Sequence, residues 1–245
     1  MAGRKKAKRK AGKRSATTGR VGGLLHRLRR WLIRGVVLIV AGVLALVLLF
    51  SQVPPPWGIY MIAEHRRHGG IERQWVPMEA ISPHMTRAAV AAEDANFCLH
   101  WGFDMAEIRR ALDAGGRRGA STISQQTVKN VYLWHGRSWP RKALEAVLTP
   151  VVELVWSKRR ILEVYLNVAE FDTGIFGVEA AARHYFGVAA ADLNATQAAR
   201  LAAILPDPKG RDAARPSAFV QSRTSAIIRG ADTIRADGRA ACFED

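Results

Sequence analysis

Acidic side chains cluster in the segment AAEDANFCLHWGFD, residues 91–104. Glu93 and Asp94 come first, and His100 and Asp104 follow among aromatic residues. A carboxylate near the C-terminal end of a helix faces the negative end of the dipole, and apolar neighbours desolvate it, so both effects raise its proton affinity. Such a group suits general-base chemistry. The competing interpretation is a helix end with solvated acids, which is the commoner outcome for a bare Glu-Asp pair.

A second polar segment, RRGASTISQQTVKN, spans residues 117–130. Small residues at a helix start leave backbone N–H groups free to bind an anion, and Arg117, Arg118 and Lys129 add positive charge. The segment therefore suits a phosphate or pyrophosphate, although it lacks the P-loop pattern. An ordinary capped helix with a basic loop explains it equally well. Hydrogen-bonding side chains come from Ser121, Thr122, Gln125 and Gln126.

A third segment, GRSWPRKALEAVL, places Arg137, Arg141 and Lys142 shortly before Glu145. An acid among apolar residues in the middle of a helix is expected to be buried, and a buried acid needs a partner or a chemical role. Two interpretations stay open: an internal ion pair with one of these cations, or a second functional carboxylate.

Helices must position these side chains. Ser82-Pro83 predicts an N-cap and first turn for a helix that ends near Glu93, and Thr122 with Gln125 predicts a capping box for a helix through Asn130. Residues 57–80 lack a helical period and are expected to be extended. The domain is predicted to be mainly α, with little strand. Further helices are predicted from Phe103 to Gly115, from Pro140 with a kink or break at Pro150, from Ser157, over residues 178–187, from Thr196, and from Ser217 to Gly238.

The N-terminal region predicts a single membrane anchor. Residues 35–50 carry no charge, and their apolar flanks extend the predicted span to residues 31–53. The run is longer than a signal-peptide core and lacks an A-x-A-like cleavage site. Thirteen Lys or Arg and no acid occur in residues 1–34, which leaves a net charge of only +3 for the remainder of the +16 chain. This pattern favours a cytoplasmic topology signal over a nucleic-acid arm, so no nucleic-acid partner is expected.

We therefore divide the chain into a disordered basic tail (1–30), the membrane helix (31–53), a juxtamembrane linker (54–80) and one domain (81–238). The two cysteines, Cys98 and Cys242, are expected to be free buried thiols, although an extracytoplasmic domain could oxidise them. Histidines are scattered and H-E-x-x-H is absent, so no metal site is predicted.

In this order and spacing, the segments resemble the peptidoglycan glycosyltransferases of the bacterial cell wall. E-D-x-x-F-x-x-H-x-G-x-D matches residues 93–104, and G-x-S-T-I-x-Q-Q-x-x-K-N matches residues 119–130. R-K-x-x-E ends at Glu145, and ILEVYLN spans residues 161–167. Several such motifs in the same order are highly specific. Asp172 departs from the family, which usually has glycine there. Later segments also match, at residues 176–186 and 201–208.

The resemblance implies a lysozyme-like, mainly helical fold and the substrate lipid II, a lipid-linked disaccharide-peptide. It implies that Glu93 deprotonates the acceptor 4-hydroxyl, which attacks the donor anomeric carbon with inversion and releases undecaprenyl pyrophosphate. Glu145 is then the supporting carboxylate near the donor, and Lys129 and Arg137 neutralise the pyrophosphate. Further substrate-binding residues implied by the motifs are Asp94, His100, Gly119, Ser121, Thr122, Gln125, Gln126, Asn130 and Arg141.

The resemblance requires no cofactor, although a divalent cation, Mg²⁺ or Mn²⁺, could shield the pyrophosphate. Expected partners are lipid II, the growing glycan strand, the lipid bilayer, and other cell-wall synthesis or division proteins. The expected location is the bacterial cytoplasmic (inner) membrane, with the domain on the periplasmic or extracytoplasmic side. Trp57, Trp134 and Trp139 fit the membrane interface and simple packing equally well.

Three alternatives deserve comparison. A lysozyme-like hydrolase or lytic enzyme also needs a catalytic glutamate, but it does not need the cationic segment before Asn130. A bifunctional penicillin-binding protein needs S-x-x-K and K-T-G, which this sequence lacks, and the chain leaves no room for its second domain. A non-catalytic membrane scaffold would leave Glu93, Lys129 and Glu145 without a purpose.

Overall fold

A computed structural model describes residues 17–115, 119–136 and 138–244, with side chains from residue 26 onwards. Arg137 and most of the basic tail lie outside the described residues. The chain divides into two compact units, residues 1–46 and residues 47–245. Helices dominate the described part, and the three strands are short, so the predicted mainly α class is confirmed.

The N-terminal helix α1 covers Thr17–Phe50. Its stretch His26–Phe50 is the one helix of the described part that is long and apolar enough to cross a membrane, with a mean hydropathy of 2.8. This stretch has 25 residues, which exceeds the roughly 20 residues that a membrane span needs. The helix is therefore compatible with single-pass anchoring.

The last turn of α1 belongs to the second unit. There the indole Nε1 of Trp156 donates to the carbonyl oxygen of Val47 at 2.7 Å, and the Arg160 guanidinium donates to the carbonyls of Phe50 and Val53. Because the last four carbonyls of a helix lack partners within it, Arg160 satisfies a Phe50 carbonyl that would otherwise need water, whereas the Val47 carbonyl also accepts from the Ser51 backbone N–H at 3.2 Å.

The second unit contains ten helices and one small sheet within its described residues. The three strands run in the order β1-β3-β2, with β1 parallel and β2 antiparallel to β3. The elements are α2 (Ile59–His68), β1 (Glu72–Arg73), α3 (Pro83–Glu93), α4 (Met105–Asp113), α5 (Ile123–Tyr132), α6 (Trp139–Val155), α7 (Lys158–Val168), β2 (Glu170–Asp172), β3 (Ile175–Phe176), α8 (Val178–Phe186), α9 (Ala195–Ile204), α10 (Ala218–Ala236) and α11 (Ala241–Glu244).

Two helix groups form the core. Helices α3, α9 and α10 pack against one another, and α5 packs against α6 and α7. Alanines such as Ala89 and Ala202 are fully buried and allow close helix approach, whereas Leu162 and Tyr165 fill the space around α7. The C-terminal end of α3 and the whole of α5, which carry the candidate chemistry, are thus mounted on rigid elements.

The predicted helix starts at Ser82, Thr122, Ser157 and Ser217 are all N-caps in the structure. Each hydroxyl accepts a hydrogen bond from a backbone N–H of the first turn, which satisfies one of the donors left free at a helix start. The capping box of α5 is complete, since the Gln125 side chain also accepts from the Thr122 backbone N–H at 3.1 Å.

Residues 57–80 were expected to be extended, and this is wrong for α2. The buried face of α2 carries Glu64, which is fully buried and contacts Arg67, His68 and Lys209. A carboxylate bound by two cations, Arg67 and Lys209, and by a histidine replaces an apolar residue on that face. The sequence of α2 therefore lacks the regular spacing of apolar residues that would predict a helix.

Two local predictions also need correction. Helix α6 continues through Pro150, so a break there, one of the two predicted outcomes, is wrong. Pro150 is exposed, and the carbonyl that loses its N–H partner four residues earlier lies where water can reach it. Helix α9 is capped by Asn194, not Thr196. The Asn194 side chain accepts from the Gln197 N–H at 3.0 Å, and the Gln197 side-chain oxygen accepts from the Asn194 backbone N–H at 3.0 Å.

Cys98 and Cys242 form a disulfide, so the expectation of free thiols is wrong. The short helix α11 returns to the turn Phe97–Leu99, where Phe243 packs near Phe97 with ring centroids 6.4 Å apart. Arg239 donates to the Ala95 carbonyl at 3.0 Å and holds the same region. Tertiary packing brings the two sulfurs together, which a count of cysteines does not reveal.

Candidate active site

Glu93 is the last residue of α3 and lines a cavity of about 780 Å³. The Gln126 side chain on α5 donates to its carboxylate oxygen Oε2 at 2.8 Å. Burial raises the pKa of Glu93 above its ordinary value of 4.5, while Gln126, Arg223 and Lys129 pull it down and Asp94 adds to the rise. A partly buried carboxylate with one donor and a raised pKa has the properties of a general base.

Asp94 joins the end of α3 to the start of α5. Its oxygen Oδ2 accepts from the backbone N–H of Ile123 at 3.0 Å, and Oδ1 lies 2.8 Å from Nε2 of His100. Asp104 caps α4 by accepting from two backbone N–H groups, and it also accepts from the Asn96 amide at 2.8 Å. These bonds fix the segment that follows Glu93.

Ligand atoms of Asp94, His100 and Asp104 lie within 4.8 Å of one another, a spacing that a metal ion can bridge. However, the aspartate oxygens already accept from Ile123, from the Asn96 amide and from the first turn of α4. A cation would have to displace these donors. The donor set therefore fits a structural network better than a divalent-metal centre.

A second cavity of about 340 Å³ shares Gln126 and Pro206 with the first. Lys129 and Asn130 of α5 line it, together with Lys209. Burial lowers the pKa of Lys129, and nearby Glu145 opposes that change. Lys209 is already paired, with its ammonium 2.7 Å from Glu64 and 3.3 Å from Glu170.

Glu145 is buried and ion-paired. Its carboxylate accepts from Nη1 of Arg141 at 2.6 Å and from the ammonium of Lys142. Among the residues that the structure describes, the linings of the two cavities do not include Glu145. The internal ion pair is thus present. It lies next to the first cavity, because Nζ of Lys142 lies 3.5 Å from the hydroxyl of Ser121, which lines that cavity.

The predicted site residues separate into three groups. Gly119, Ser121, Thr122 and Gln126 line the first cavity with Glu93 and Asp94, whereas Lys129 and Asn130 line the second. Gln125 serves the capping box, and His100 serves the network around Asp94. Arg137 cannot be placed, because it lies outside the described residues. Residues that the sequence did not reveal are Asn96, Glu107, Arg211 and Arg223 in the first cavity, and Tyr60, His135 and Lys209 in the second.

The family model described as Transglycosylase matches residues 61–232 of this sequence. The chain belongs to the transglycosylase family. Several relatives share the printed name biosynthetic peptidoglycan transglycosylase. The protein from Jannaschia sp. (strain CCS1) is 61% identical over 90% of this transglycosylase and 92% of its own length. The protein from Rhodospirillum centenum is 48% identical, over 87% and 96%. The protein from Caulobacter vibrioides is 46% identical, over 91% and 99%.

All residues that line the first cavity of this transglycosylase fall inside the family match. The departure at Asp172 has a local explanation. Its carboxylate accepts from the Thr173 N–H at 2.7 Å and from the Tyr185 hydroxyl at 3.1 Å, which closes the turn between β2 and β3. Asp172 lies outside both cavity linings, within the described part of the chain.

Proposed function

We propose that this transglycosylase is a peptidoglycan glycosyltransferase that polymerises lipid II into β-1,4 glycan strands and releases undecaprenyl pyrophosphate. The observation that carries the proposal is Glu93 in the first cavity, whose carboxylate has a raised pKa and one hydrogen-bond donor. The family match and the names of the relatives support the same reaction class.

In the proposed mechanism, Glu93 takes the proton from the 4-hydroxyl of the acceptor sugar. The oxygen attacks the donor anomeric carbon, the bond from that carbon to the diphosphate breaks, and the electron pair leaves with the lipid pyrophosphate. Negative charge grows on the leaving group, and fixed cations stabilise such charge in a water-poor site. Lys129 is the partly buried cation best suited to this task. A divalent cation held by the pyrophosphate would supply further charge shielding.

Glu145 supports the reaction indirectly in this proposal. Because its carboxylate binds Arg141 and Lys142, it fixes the positions of both cations. Of the two, Lys142 lies beside the Ser121 hydroxyl of the first cavity. A buried carboxylate that loses its partners is costly, so the cluster is expected to act as one unit.

The exposed apolar face of α6 supports a role for the bilayer. Trp139, Val147 and Leu154 are 88%, 65% and 75% exposed. Large exposed apolar patches are uncommon on soluble surfaces and mark membrane or protein contacts. The disulfide supports an extracytoplasmic domain, because disulfides persist in oxidising compartments. We therefore propose that the domain works on the outer surface of the cytoplasmic membrane, where lipid II is met.

The test is polymerisation of lipid II by the purified full chain in detergent or vesicles. Wild type should produce glycan strands, and Glu93→Gln should be slower by about a hundredfold or more, since general-base catalysis contributes factors of that order. Glu107→Gln is the matched control, because Glu107 lines the same cavity but is paired with Arg110. Normal polymerisation by Glu93→Gln would remove the catalytic assignment. Shortening of pre-made glycan by wild type would replace the proposal with the lytic alternative.

A further inference from the structure

The last residues that the structure describes return to the turn that follows Glu93. Residues 239–244, which we call the C-terminal strap, follow the left-handed Gly238 and include α11. Residues 94–99, which we call the Glu93 turn, lead out of the end of α3. The family match ends at residue 232, so the strap lies beyond it. A role of the strap in the reaction therefore does not follow from the family motifs.

The strap is bonded covalently to the Glu93 turn. Cys242 of α11 forms the disulfide with Cys98, and beside this bond the buried ring of Phe243 packs near the buried ring of Phe97. The two cysteines are themselves only partly buried, so a reductant in solution can reach them. The disulfide thus holds an aromatic contact against the turn, and it does so through an accessible bond.

Hydrogen bonds connect the strap to the lining of the first cavity. The Arg239 guanidinium donates to the carbonyl oxygen of Ala95 at 3.0 Å, and its Nη1 lies 3.5 Å from the side-chain oxygen of Asn96. The Asn96 amide in turn donates to Asp104 at 2.8 Å. Asn96 and Asp104 both line the cavity that contains Glu93. A displacement of the strap is therefore transmitted to that cavity.

The strap depends on the disulfide for its position. Helix α11 has only four residues, and isolated helices shorter than about 12 residues are marginal in water. Two partly exposed contacts also hold it: Arg87 donates to Glu244 at 3.1 Å, and Arg159 donates to the Phe243 carbonyl at 3.0 Å. Chain ends fray unless they are tied down. Without the disulfide, the strap should detach locally while the remainder of the domain stays folded.

We propose that the C-terminal strap positions the Glu93 turn for the reaction, and that the Cys98–Cys242 disulfide is the reducible lock of this positioning. The inference rests on the proposed function, since it concerns the same site. The strap touches no reacting atom and acts through the Glu93 turn. A dithiol reductant breaks the S–S bond by supplying two electrons and two protons, which leaves two cysteine thiols and the oxidised dithiol. Polymerisation then slows, because the rate depends on a fixed geometry around Glu93.

The test measures polymerisation of lipid II by the purified full chain before and after reduction with dithiothreitol. The temperature is one at which circular dichroism shows the reduced protein to be folded, and thiol titration confirms full reduction. Reduction should lower kcat by about tenfold or more and change KM far less, since a misplacement on the order of 1 Å costs up to about a hundredfold in rate. Reoxidation should restore kcat. An unchanged kcat in reduced, folded protein, or a change in KM alone, would overturn the proposal.

The double variant Cys98→Ala/Cys242→Ala separates the effect of the bond from other effects of the reductant. Its kcat should match that of reduced wild type, and dithiothreitol should leave it unchanged. A double variant that polymerises as fast as oxidised wild type would show that the disulfide does not control the site.

Arg239 tests the strap with the disulfide intact. Arg239→Ala removes the hydrogen bonds to Ala95 and Asn96, so it should lower kcat severalfold, and Arg239→Lys should recover part of the loss. Arg235→Ala is the matched control, because Arg235 is an exposed arginine of α10 that lies 3.9 Å from Asp232. The control should match wild type. Equal kcat values for Arg239→Ala and Arg235→Ala would contradict the positioning role.

Hydrogen exchange separates failure of this proposal from failure of the proposed function. Reduction should speed exchange of the backbone amides of residues 94–104 and of the strap by about tenfold or more, and it should leave α5 and α7 unchanged. If wild type polymerises lipid II but exchange in residues 94–104 does not respond to reduction, only the positioning by the strap is lost. If exchange responds but wild type fails to polymerise, the proposed function is lost, and the hold of the strap on the Glu93 turn stands.

Discussion

At the residue scale, the proposed role of Glu93 as general base places two demands on its carboxylate. A base must be ionised to accept a proton, and it must hold that proton tightly enough to remove it from a hydroxyl. Burial raises the pKa of Glu93, while the Gln126 amide, Arg223 and Lys129 stabilise the ionised form. Activity should therefore fall as the pH drops through the pKa of Glu93, which lies above the ordinary value.

Loss of the Gln126 donor tests this balance. Gln126→Leu removes the hydrogen bond to the ionised carboxylate, so the pKa of Glu93 should rise further and the acidic limb of the kcat/KM profile should move to higher pH. A pH series of polymerisation rates measures the shift. Gln221→Leu on α10 is the control, because its amide donates to the Pro216 carbonyl. An acidic limb that stays in place would show that another group controls it.

Local sequence could predict only the residues that follow one another along the chain. Glu93 and Asp94 stand in one motif and Gln126 in the next, and the structure brings them into one cavity. Arg223 also lines that cavity, although it lies 131 positions after Ala92, whose carbonyl accepts its hydrogen bond. No local pattern distinguishes it from the other arginines of α10, so only tertiary packing reveals it.

At the element scale, α5 carries Gln126 and Lys129, and its position depends on its first turn. Thr122 caps that turn and also donates its hydroxyl to the Gly102 carbonyl at 2.7 Å. One side chain thus stabilises the helix and joins it to the segment that follows Glu93.

Thr122→Ala should lower the free energy of unfolding by about 1–2 kcal/mol, since it removes an N-cap and a buried hydrogen bond. The melting temperature should fall by several degrees. Thermal unfolding by circular dichroism measures the change. Thr233→Ala is the control, because its exposed hydroxyl only bonds the carbonyl of the preceding turn. Equal effects of the two substitutions would argue against a special role for Thr122.

Helix starts were predictable because caps are local chemistry. Ser82 and Thr122 satisfy backbone donors within three residues of themselves. Helix α2 was not predictable, since the buried Glu64 depends on Lys209, which lies 145 positions away. The break predicted at Pro150 is absent for a related reason. Packing of α6 against α5 stabilises the helix by more than the one missing backbone hydrogen bond costs.

At the scale of the whole molecule, the disulfide closes a loop of 144 positions. Cross-linking such a distance removes freedom from the unfolded chain and stabilises the fold by about 2–5 kcal/mol. Reductant should therefore lower the melting temperature of wild type, and the double variant Cys98→Ala/Cys242→Ala should match reduced wild type.

Thiol titration of the unreduced, unfolded protein should detect no free cysteine. The double variant is its own control, since reductant should leave its melting temperature unchanged. Two titratable thiols in protein isolated from an oxidising compartment would contradict the bond.

The contact between the last turn of α1 and Trp156 also decides where the enzyme can be separated from its N-terminal apolar helix. A chain that begins at residue 54 loses the carbonyls of Val47, Phe50 and Val53. The buried Trp156 N–H then loses its acceptor, and the Arg160 guanidinium keeps only its bond to Glu163. An unsatisfied buried donor costs about 1–3 kcal/mol. A chain that begins at residue 47 should therefore melt at a higher temperature than one that begins at 54, as differential scanning calorimetry would measure. Equal melting temperatures would show that this turn is dispensable. Otherwise the practical N-terminal boundary of the folded enzyme lies inside the apolar helix.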